Sequence, residues 1–112
     1  MLHPYYINPI FRLMNKLIRI HASDNVLVVK HNILPGDEEQ IGDIKITFDK
    51  AIGFGHKIAS KNISKGEKVI KFGVPIGSAT EDIPIGSHVH LHNLKSDYLS
   101  TYTLDHEFIQ SK

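Results

Sequence analysis

"NISKG", Asn62 to Gly66, is the stretch on which the fold depends, because two other segments of the chain repeat its form. "NILPG" (Asn32–Gly36) and "DIPIG" (Asp82–Gly86) also place Ile after Asn or Asp and Gly three residues after the Ile. The Asn or Asp side chain can cap a turn, and Gly supplies the positive φ that many turns need. We therefore expect three chain reversals, each with its isoleucine buried in the core.

Short β-rich segments lie around these corners, among them "NVLVVK" (Asn25–Lys30), "IKITF" (Ile44–Phe48) and "KVIKF" (Lys68–Phe72). Apolar and polar residues alternate in "IKITF", as is typical of a half-buried strand. The corners follow each other after 30 and then 20 residues, a spacing too irregular for a solenoid. The pattern predicts a mostly β domain of short strands folded over on itself, and 112 residues fit one such domain.

The first residues read as an addition to this domain. Asn8-Pro9 offers an N-cap followed by proline at the first helical position, so a short helix from Pro9 to about Lys16 is predicted. Alternatively, Met14 is the true initiator. We predict an N-terminal extension over 1–16, the folded domain over 17–94, and a tail or linker to a catalytic partner over 95–112.

Composition excludes several classes of protein. Thirteen Lys and Arg against twelve Asp and Glu give a net charge of +1, and no basic run argues for nucleic-acid binding. No apolar run is long enough to cross a membrane, and the start lacks the features of a signal peptide, so we expect a cytoplasmic protein. There is no Cys, so a metal would have to be held by His, Asp, Glu, carbonyls or water.

Three of the eight histidines alternate in "HVHLHN" (His88–Asn93). Alternate residues of a strand face the same side, so His90 and His92, about 6–7 Å apart along the strand, can converge on one ion. His88 and His92 would be about 13 Å apart, which makes His88 peripheral. The alternative is a solvated strand face without a ligand role.

Two further segments carry candidate site residues. His21 in "HASDNV" is a candidate because a turn does not need an imidazole, whereas Asp24 could orient His21, ligate a metal, or only cap its own turn. In "GFGHK", His56 could act as acid or base and Lys57 could hold a substrate carboxylate. Neighbours in an extended segment point to opposite sides, so only one of these two is expected to reach a substrate.

The ordered set "IHASDNV" (Ile20–Val26), "GHKIA" (Gly55–Ala59) and "ISKGEKVIKFGVPIGSATEDIPIGSHVHLHN" (Ile63–Asn93) resembles the SAF domain of the altronate dehydratase family. In that family the domain is N-terminal or a separate small subunit, and galactarate dehydratase and the sulfolactate sulfo-lyase small subunit are similar. The resemblance implies a β-clip fold. It also implies a hydro-lyase that converts D-altronate to 2-dehydro-3-deoxy-D-gluconate with Fe(II) or Mn(II), its site completed by a large catalytic subunit that this chain does not contain.

Together, the residues and the resemblance give a set of expected roles. The isolated chain is expected to be inactive, and the alternatives are another lyase, such as a sulfolactate sulfo-lyase, or a non-enzymatic module that binds a sugar or a protein. We expect catalytic side chains at one open edge of the domain, substrate-binding side chains near them, and metal ligands in the last histidine pair. The catalytic set is His21, His56, Lys57, His90 and His92, the substrate-binding set is Asp24, Asn25 and Asn93, and the metal set is His90 and His92.

Overall fold

Nine short strands make up the computed structural model of the protein, which describes residues 16–97. They are β1 (Leu17–Ile18), β2 (Val26–Val29), β3 (Glu38–Ile41), β4 (Ile44–Thr47), β5 (Lys57–Ala59), β6 (Lys68–Lys71), β7 (Val74–Ala79), β8 (His88–Val89) and β9 (Leu94–Lys95). All pairings between these strands are antiparallel, in sheets of order β1-β2-β5-β8, β3-β4 and β6-β7-β9. The prediction of a mostly β domain is confirmed.

Two sequence-based predictions concern the ends of the chain. The short helix predicted from Pro9 to about Lys16 lies, apart from Lys16, outside the residues that the structure describes. The division into 1–16, 17–94 and 95–112 stays a prediction. Over residues 16–97 there is no helix long and apolar enough to span a membrane.

The three repeated pentapeptides are corners, as predicted. Ile33, Ile63 and Ile83 are at most 1% exposed. Gly66 has a φ of 86°, and the N–H of Glu67 donates to the carbonyl of Ser64 at 2.8 Å. This is the pattern of a type II turn, in which the third residue must adopt a positive φ.

A fourth corner, "AIGFG" (Ala51–Gly55), completes the pattern. Gly55 has a φ of 87°, and Ile52 pairs with Ile33 in an isolated antiparallel bridge, just as Ile63 pairs with Ile83. The chain therefore contains two similar units, each a strand, a corner, a hairpin and a second corner. The sequence pattern revealed only three corners because the fourth begins with Ala rather than Asn or Asp.

The polar residue of a corner caps the opposite corner of its pair rather than its own. Asn62 Oδ1 accepts from the N–H of Ile85, and Asp82 Oδ1 accepts from the N–H of Lys65, both at 2.8 Å. Asn32 Oδ1 accepts in the same way from the N–H of Phe54. Each bond satisfies a backbone donor that the turn leaves free, so the two corners of a pair hold each other in place.

Two hydrophobic cores lie on opposite faces of β2 and β5. Leu27, Val29 and Ile58 point to one core, and Val26 and Ala59 point to the other. This is the period-two alternation of a strand, with both faces buried. The first core holds Leu27, Val29, Ile33, Ile41, Phe48, Ile52 and Ile58, and the second holds Val26, Ala59, Ile63, Val69, Ala79, Ile83 and Val89.

Candidate functional site

The segment "HVHLHN" is a short strand followed by a turn. β8 ends at Val89, and the N–H of Asn93 donates to the carbonyl of His90 at 3.0 Å. The Asn93 side chain fixes this turn, since Oδ1 accepts from the N–H of His90 and Nδ2 donates to the carbonyl of His88, each at 2.9 Å. The expectation that this segment is one continuous strand is wrong. The buried Asn93 side chain bonds to the backbone of both His88 and His90 and so holds the chain in a turn.

The turn gathers imidazoles that an extended strand would have spread out. Ring centroids of His56 lie 5.0 Å from those of both His88 and His90, and His88 and His90 are stacked at 5.4 Å. His92 lies 5.7 Å from His88. We call these four residues the histidine cluster. The expectation that His88 is peripheral is wrong, since His88 contacts the other three rings.

Within the cluster, three histidines come closer than the rest. One ring nitrogen from each of His56, His88 and His90 lies within 4.8 Å of the other two. His56 Nδ1 and His88 Nε2 are 2.9 Å apart. The sequence indicated His90 and His92 as the ligand pair, whereas the structure groups His90 with His56 and His88.

Burial and neighbouring positive charge affect protonation in the cluster. Burial, followed by the neighbouring His56 and His90, lowers the pKa of His88 to about 4. Burial and the neighbouring His56 and Lys57 also lower the pKa of His90. A lowered pKa keeps an imidazole neutral at physiological pH, with a lone pair free to bind a metal or accept a hydrogen bond.

Lys57 lies beside the cluster on β5, directly after His56. Its side chain is half-buried, and burial together with the nearby Lys71 lowers the pKa of the ammonium group. Lys57 also contributes to the lowered pKa values of His88 and His90. Its charge therefore acts on the cluster, and it stays a candidate for binding a substrate carboxylate.

His21 and Asp24 form a different structural unit. Asp24 is 5% exposed, and its carboxylate accepts from the backbone N–H groups of His21, Phe72 and Gly73 at 2.8–3.1 Å. Burial acts to raise the pKa of Asp24, but these hydrogen bonds outweigh it and lower the pKa. Asp24 thus caps its own turn and also holds the β6–β7 hairpin turn, where Phe72 adopts a φ of 57°.

The His21 ring lies against this hairpin turn. Its Nδ1 is 2.8 Å from Ser23 Oγ, and a Cβ added to Gly73 would lie 3.0 Å from the ring. These contacts of His21 are with Ser23 and Gly73, whereas the ring contacts of His56, His90 and His92 lie within the histidine cluster. The convergence of His21 with them stays a prediction.

The remaining two predicted substrate-binding residues are also bonded to backbone. Asn25 is 6% exposed, accepts from the N–H of Ile70 at 2.8 Å and donates to the carbonyl of Lys68 at 2.9 Å, which attaches β6 to the end of β2. Asn93 fixes the histidine turn. Substrate contacts by Asp24, Asn25 and Asn93 stay predictions, and what the structure assigns to each side chain is a set of backbone hydrogen bonds.

A groove of about 550 Å³ opens beside the cluster. His88 and His92 line it, together with charged side chains that include Lys50 and Glu81. A concave site with a few polar groups near titratable residues is the usual form of a small-molecule site. The cluster therefore has one side against the domain and one side on open space large enough for a small polar ligand.

A comparison with known protein families identifies the domain. The model of the altronate/galactarate dehydratase SAF domain matches residues 15–97. The chain belongs to this SAF domain family. The resemblance seen in the sequence is thereby confirmed.

Relatives of this SAF domain are lyases or parts of lyases. It is 39% identical over 84 residues to an altronate dehydratase of Bacillus subtilis (strain 168), covering 75% of this chain and 17% of that protein. It is 42% identical over 80 residues to an altronate dehydratase of Escherichia coli (strain K12), covering 71% and 16%. A (2R)-sulfolactate sulfo-lyase subunit alpha of Paracoccus pantotrophus is 41% identical over 54 residues, covering 48% of this chain and 81% of that one.

The SAF domain thus spans about a sixth of the two altronate dehydratases. Sequence reasoning missed one member of its histidine cluster, His88, because it treated the whole segment as extended. Asn93 was the available signal, since Asn is one of the residues that favour turns.

Proposed function

We propose that this SAF domain is the small subunit or N-terminal domain of a cytoplasmic sugar-acid dehydratase and that its histidine cluster completes an active site on a large catalytic partner. The proposed reaction is loss of water from D-altronate to give 2-dehydro-3-deoxy-D-gluconate. One observation carries the proposal: four imidazoles meet at the open side of a domain whose relatives include altronate dehydratases.

The reaction needs proton transfer at the α-carbon and at the β-hydroxyl oxygen. A base removes the proton α to the carboxylate, the β-hydroxyl leaves as water after gaining a proton, and the resulting enol becomes the 2-oxo acid. Imidazole is suited to both transfers near neutral pH. His92 is exposed and lines the groove, so it is the member of the cluster best placed to exchange a proton with a substrate.

Two positive groups could meet the substrate carboxylate. Lys57 offers a point charge at the cluster, and Lys50 lines the groove. A half-buried ammonium attracts a carboxylate more strongly than an exposed one, because the local dielectric constant is lower. In the proposal Lys57 holds the carboxylate, while the hydroxyl groups of the sugar acid extend along the groove.

The Fe(II) or Mn(II) that the resemblance implies is compatible with the cluster, since imidazole nitrogen is a ligand for iron and other transition metals. When bound, such an ion polarises a substrate oxygen and stabilises the negative charge that develops on the carboxylate. His56, His88 and His90 would hold it, which leaves His92 for proton transfer.

The test is turnover by the assembled enzyme. The full chain is mixed with a large altronate dehydratase subunit, and the 2-oxo acid formed from D-altronate is measured. His92→Ala should lower kcat by about 10²-fold or more if His92 transfers a proton. The control is His31→Ala, an exposed histidine outside the cluster, which should match the wild type.

Two results would contradict the proposal. One is rapid turnover by the purified chain alone, and the other is unchanged turnover in the assembled His92→Ala enzyme. A second candidate function, the alpha subunit of a sulfolactate sulfo-lyase, is favoured by the match that covers 81% of the Paracoccus protein. Testing sulfolactate with the corresponding partner subunit separates the two lyases, and activity on neither would favour the non-enzymatic binding module.

A further inference from the structure

We propose that the tip of the β6–β7 hairpin, Lys71–Val74, is the surface on which the large catalytic subunit docks, with the Phe72 ring as its anchor. The existence of that subunit rests on the proposed function, and the place where it binds is new. Phe72 adopts a φ of 57° and is 57% exposed, and Val74 beside it is 54% exposed. The hairpin thus holds an aromatic ring in solvent at a backbone conformation that is unfavourable for a bulky side chain.

The first unit shows that the fold does not need this ring. Gly42 stands 30 residues before Phe72, in the β3–β4 hairpin turn, and has a φ of 58°. In both hairpins the strand register leaves two residues in the turn. Glycine adopts a positive φ without steric cost, whereas Phe does not. Strained backbone of this kind is concentrated at functional positions, which indicates that Phe72 serves a contact outside the domain.

A buried carboxylate keeps the tip in its strained conformation. Asp24 accepts from the N–H of Phe72 at 3.1 Å and from that of Gly73 at 2.8 Å. The His21 ring packs against Gly73, where an added Cβ would lie 3.0 Å from the ring. The backbone that carries the Phe72 ring is therefore fixed before a partner arrives, so little conformational freedom is lost on binding.

Charge at the tip indicates the chemistry of the surface that would cover it. Lys71 Nζ lies 5.0 Å from the centroid of the Phe72 ring, and Arg19 donates to the carbonyl of Asp24 behind the tip. Within residues 16–97, neither Lys71 nor Arg19 forms an ion pair with a carboxylate. A complementary surface has an apolar pocket for the ring and acidic side chains around the pocket.

The path of the chain favours the catalytic subunit as the occupant. β9 runs antiparallel to β7, so the chain heads toward the tip as it reaches Asp97. Gly77 lets β9 lie close against β7, because an added Cβ would collide with the carbonyl oxygen of Lys95. Where the catalytic part follows this domain in one chain, as the resemblance implies, that part begins on the side of the tip.

The tip also lies within electrostatic reach of the histidine cluster. Burial and the charge of Lys71 lower the pKa of Lys57. Burial, His56 and then Lys57 lower the pKa of His90. Lys57 therefore lies between the charge of the tip and that of the cluster, and a subunit seated on the tip also faces the imidazoles that it would need for the reaction.

The test measures binding of the full 112-residue chain to a large altronate dehydratase subunit by calorimetry, with no substrate present. Phe72→Asn removes the ring but suits a turn in which both residues have a positive φ, as Phe72 and Gly73 do. This variant should weaken binding by about 30-fold or more, as expected for a central aromatic anchor. Its melting temperature should rise by about 2–5 °C, because the strain is relieved.

The matched control is Ile44→Ala, because Ile44 stands in the β3–β4 hairpin where Val74 stands in the β6–β7 hairpin and is 47% exposed. It should bind within about threefold of the wild type. Lys71→Glu should weaken binding by about tenfold, and wild-type binding should weaken as the salt concentration rises.

The docking surface is refuted if the wild type does not bind the subunit, or if Phe72→Asn binds it as tightly as the wild type. It is also refuted if the chain alone forms a dimer that Phe72→Asn abolishes, since the occupant would then be a second copy. Failure of the proposed reaction has a different signature. A complex that depends on Phe72 but leaves D-altronate unchanged contradicts the dehydratase and supports the docking surface.

Discussion

Glu39 on β3 occupies the position in the first unit that Val69 occupies in the second, 30 residues later. Both are buried, at 1% and 0% exposure. Burial raises the pKa of Glu39 to about 7, although the backbone N–H and the charge of Lys16 partly oppose the shift. A carboxyl group thus stands at a position where the other unit has an apolar side chain, and near neutral pH it carries a proton about half of the time.

Glu39 should make folding stability depend on pH. The pKa is higher in the folded than in the unfolded protein, so the group favours folding fully below about pH 4.5, and this contribution is lost as pH rises through about 7. The free energy of unfolding should fall by about 1–3 kcal/mol between pH 5 and pH 8. Glu39→Gln should remove most of that fall, as measured by denaturant unfolding at several pH values.

The matched control is Glu38→Gln, because Glu38 precedes Glu39 on the same strand and is more exposed. That variant should keep the pH dependence of the wild type. Equal slopes in the wild type and the Glu39→Gln variant would show that the buried carboxyl group is not the source.

The identity of the site residues was more predictable than their arrangement. His56, His90 and His92 were expected at one open edge, and the structure brings them together. Two placements could not be deduced from residue spacing. His88 joins the cluster because a buried side chain, Asn93, reverses the backbone, and His21 packs on Gly73 of the β6–β7 hairpin turn.

At the scale of the elements, the corners explain why one Ala stands where the other three have Asn or Asp. By the symmetry of the pair, a side-chain acceptor at position 51 would serve the backbone of Pro35. Proline has no N–H to donate. No acceptor is needed at position 51, because the facing residue of the partner corner, Pro35, has no N–H. Ala51 therefore costs the corner no hydrogen bond.

This symmetry predicts unequal effects of two substitutions. Asn62→Ala removes the acceptor of the Ile85 N–H and should lower the free energy of unfolding by about 1 kcal/mol. Ala51→Asn creates an acceptor without a donor and should change it by less than about 0.5 kcal/mol. Chemical denaturation of both variants measures the difference, and a stabilising Ala51→Asn would contradict the account of the corners.

The three Asn/Asp corners were visible in the sequence because turn chemistry is local: glycine supplies the positive φ and the isoleucine fills the core. The hydrogen bonds between paired corners were not visible in the sequence, because the pairing of corners depends on contacts between strands that are far apart in the chain. The pairs Ile33–Ile52 and Ile63–Ile83 are contacts of this kind.

At the scale of the whole molecule, the two units share their central strands. β2 and β5 contribute Leu27 and Ile58 to the first core and Val26 and Ala59 to the second. If one core came apart, one face of β2 and β5 would be exposed to water while the other face remained packed in the second core. Neither unit has a complete set of core strands by itself, so the described domain should open as one cooperative unit.

A conservative change in one core should therefore weaken the other. Ile63→Val should cost about 0.5–1.5 kcal/mol, which corresponds to roughly 2–12-fold faster amide exchange where exchange follows global opening. The Ile83 amide bonds to the carbonyl of Ile63 in the second unit, and the Ile52 amide bonds to that of Ile33 in the first. The Ile83 and Ile52 amides should both lose protection by the same factor in Ile63→Val, and again in Ile33→Val, as measured by hydrogen exchange with NMR detection.

If only the Ile83 amide responded to Ile63→Val and only the Ile52 amide to Ile33→Val, the two units would open separately. The shared strands β2 and β5 would then be only an interface between two units that unfold independently. Shared strands couple two cores only when unfolding of one core also removes those strands from the other.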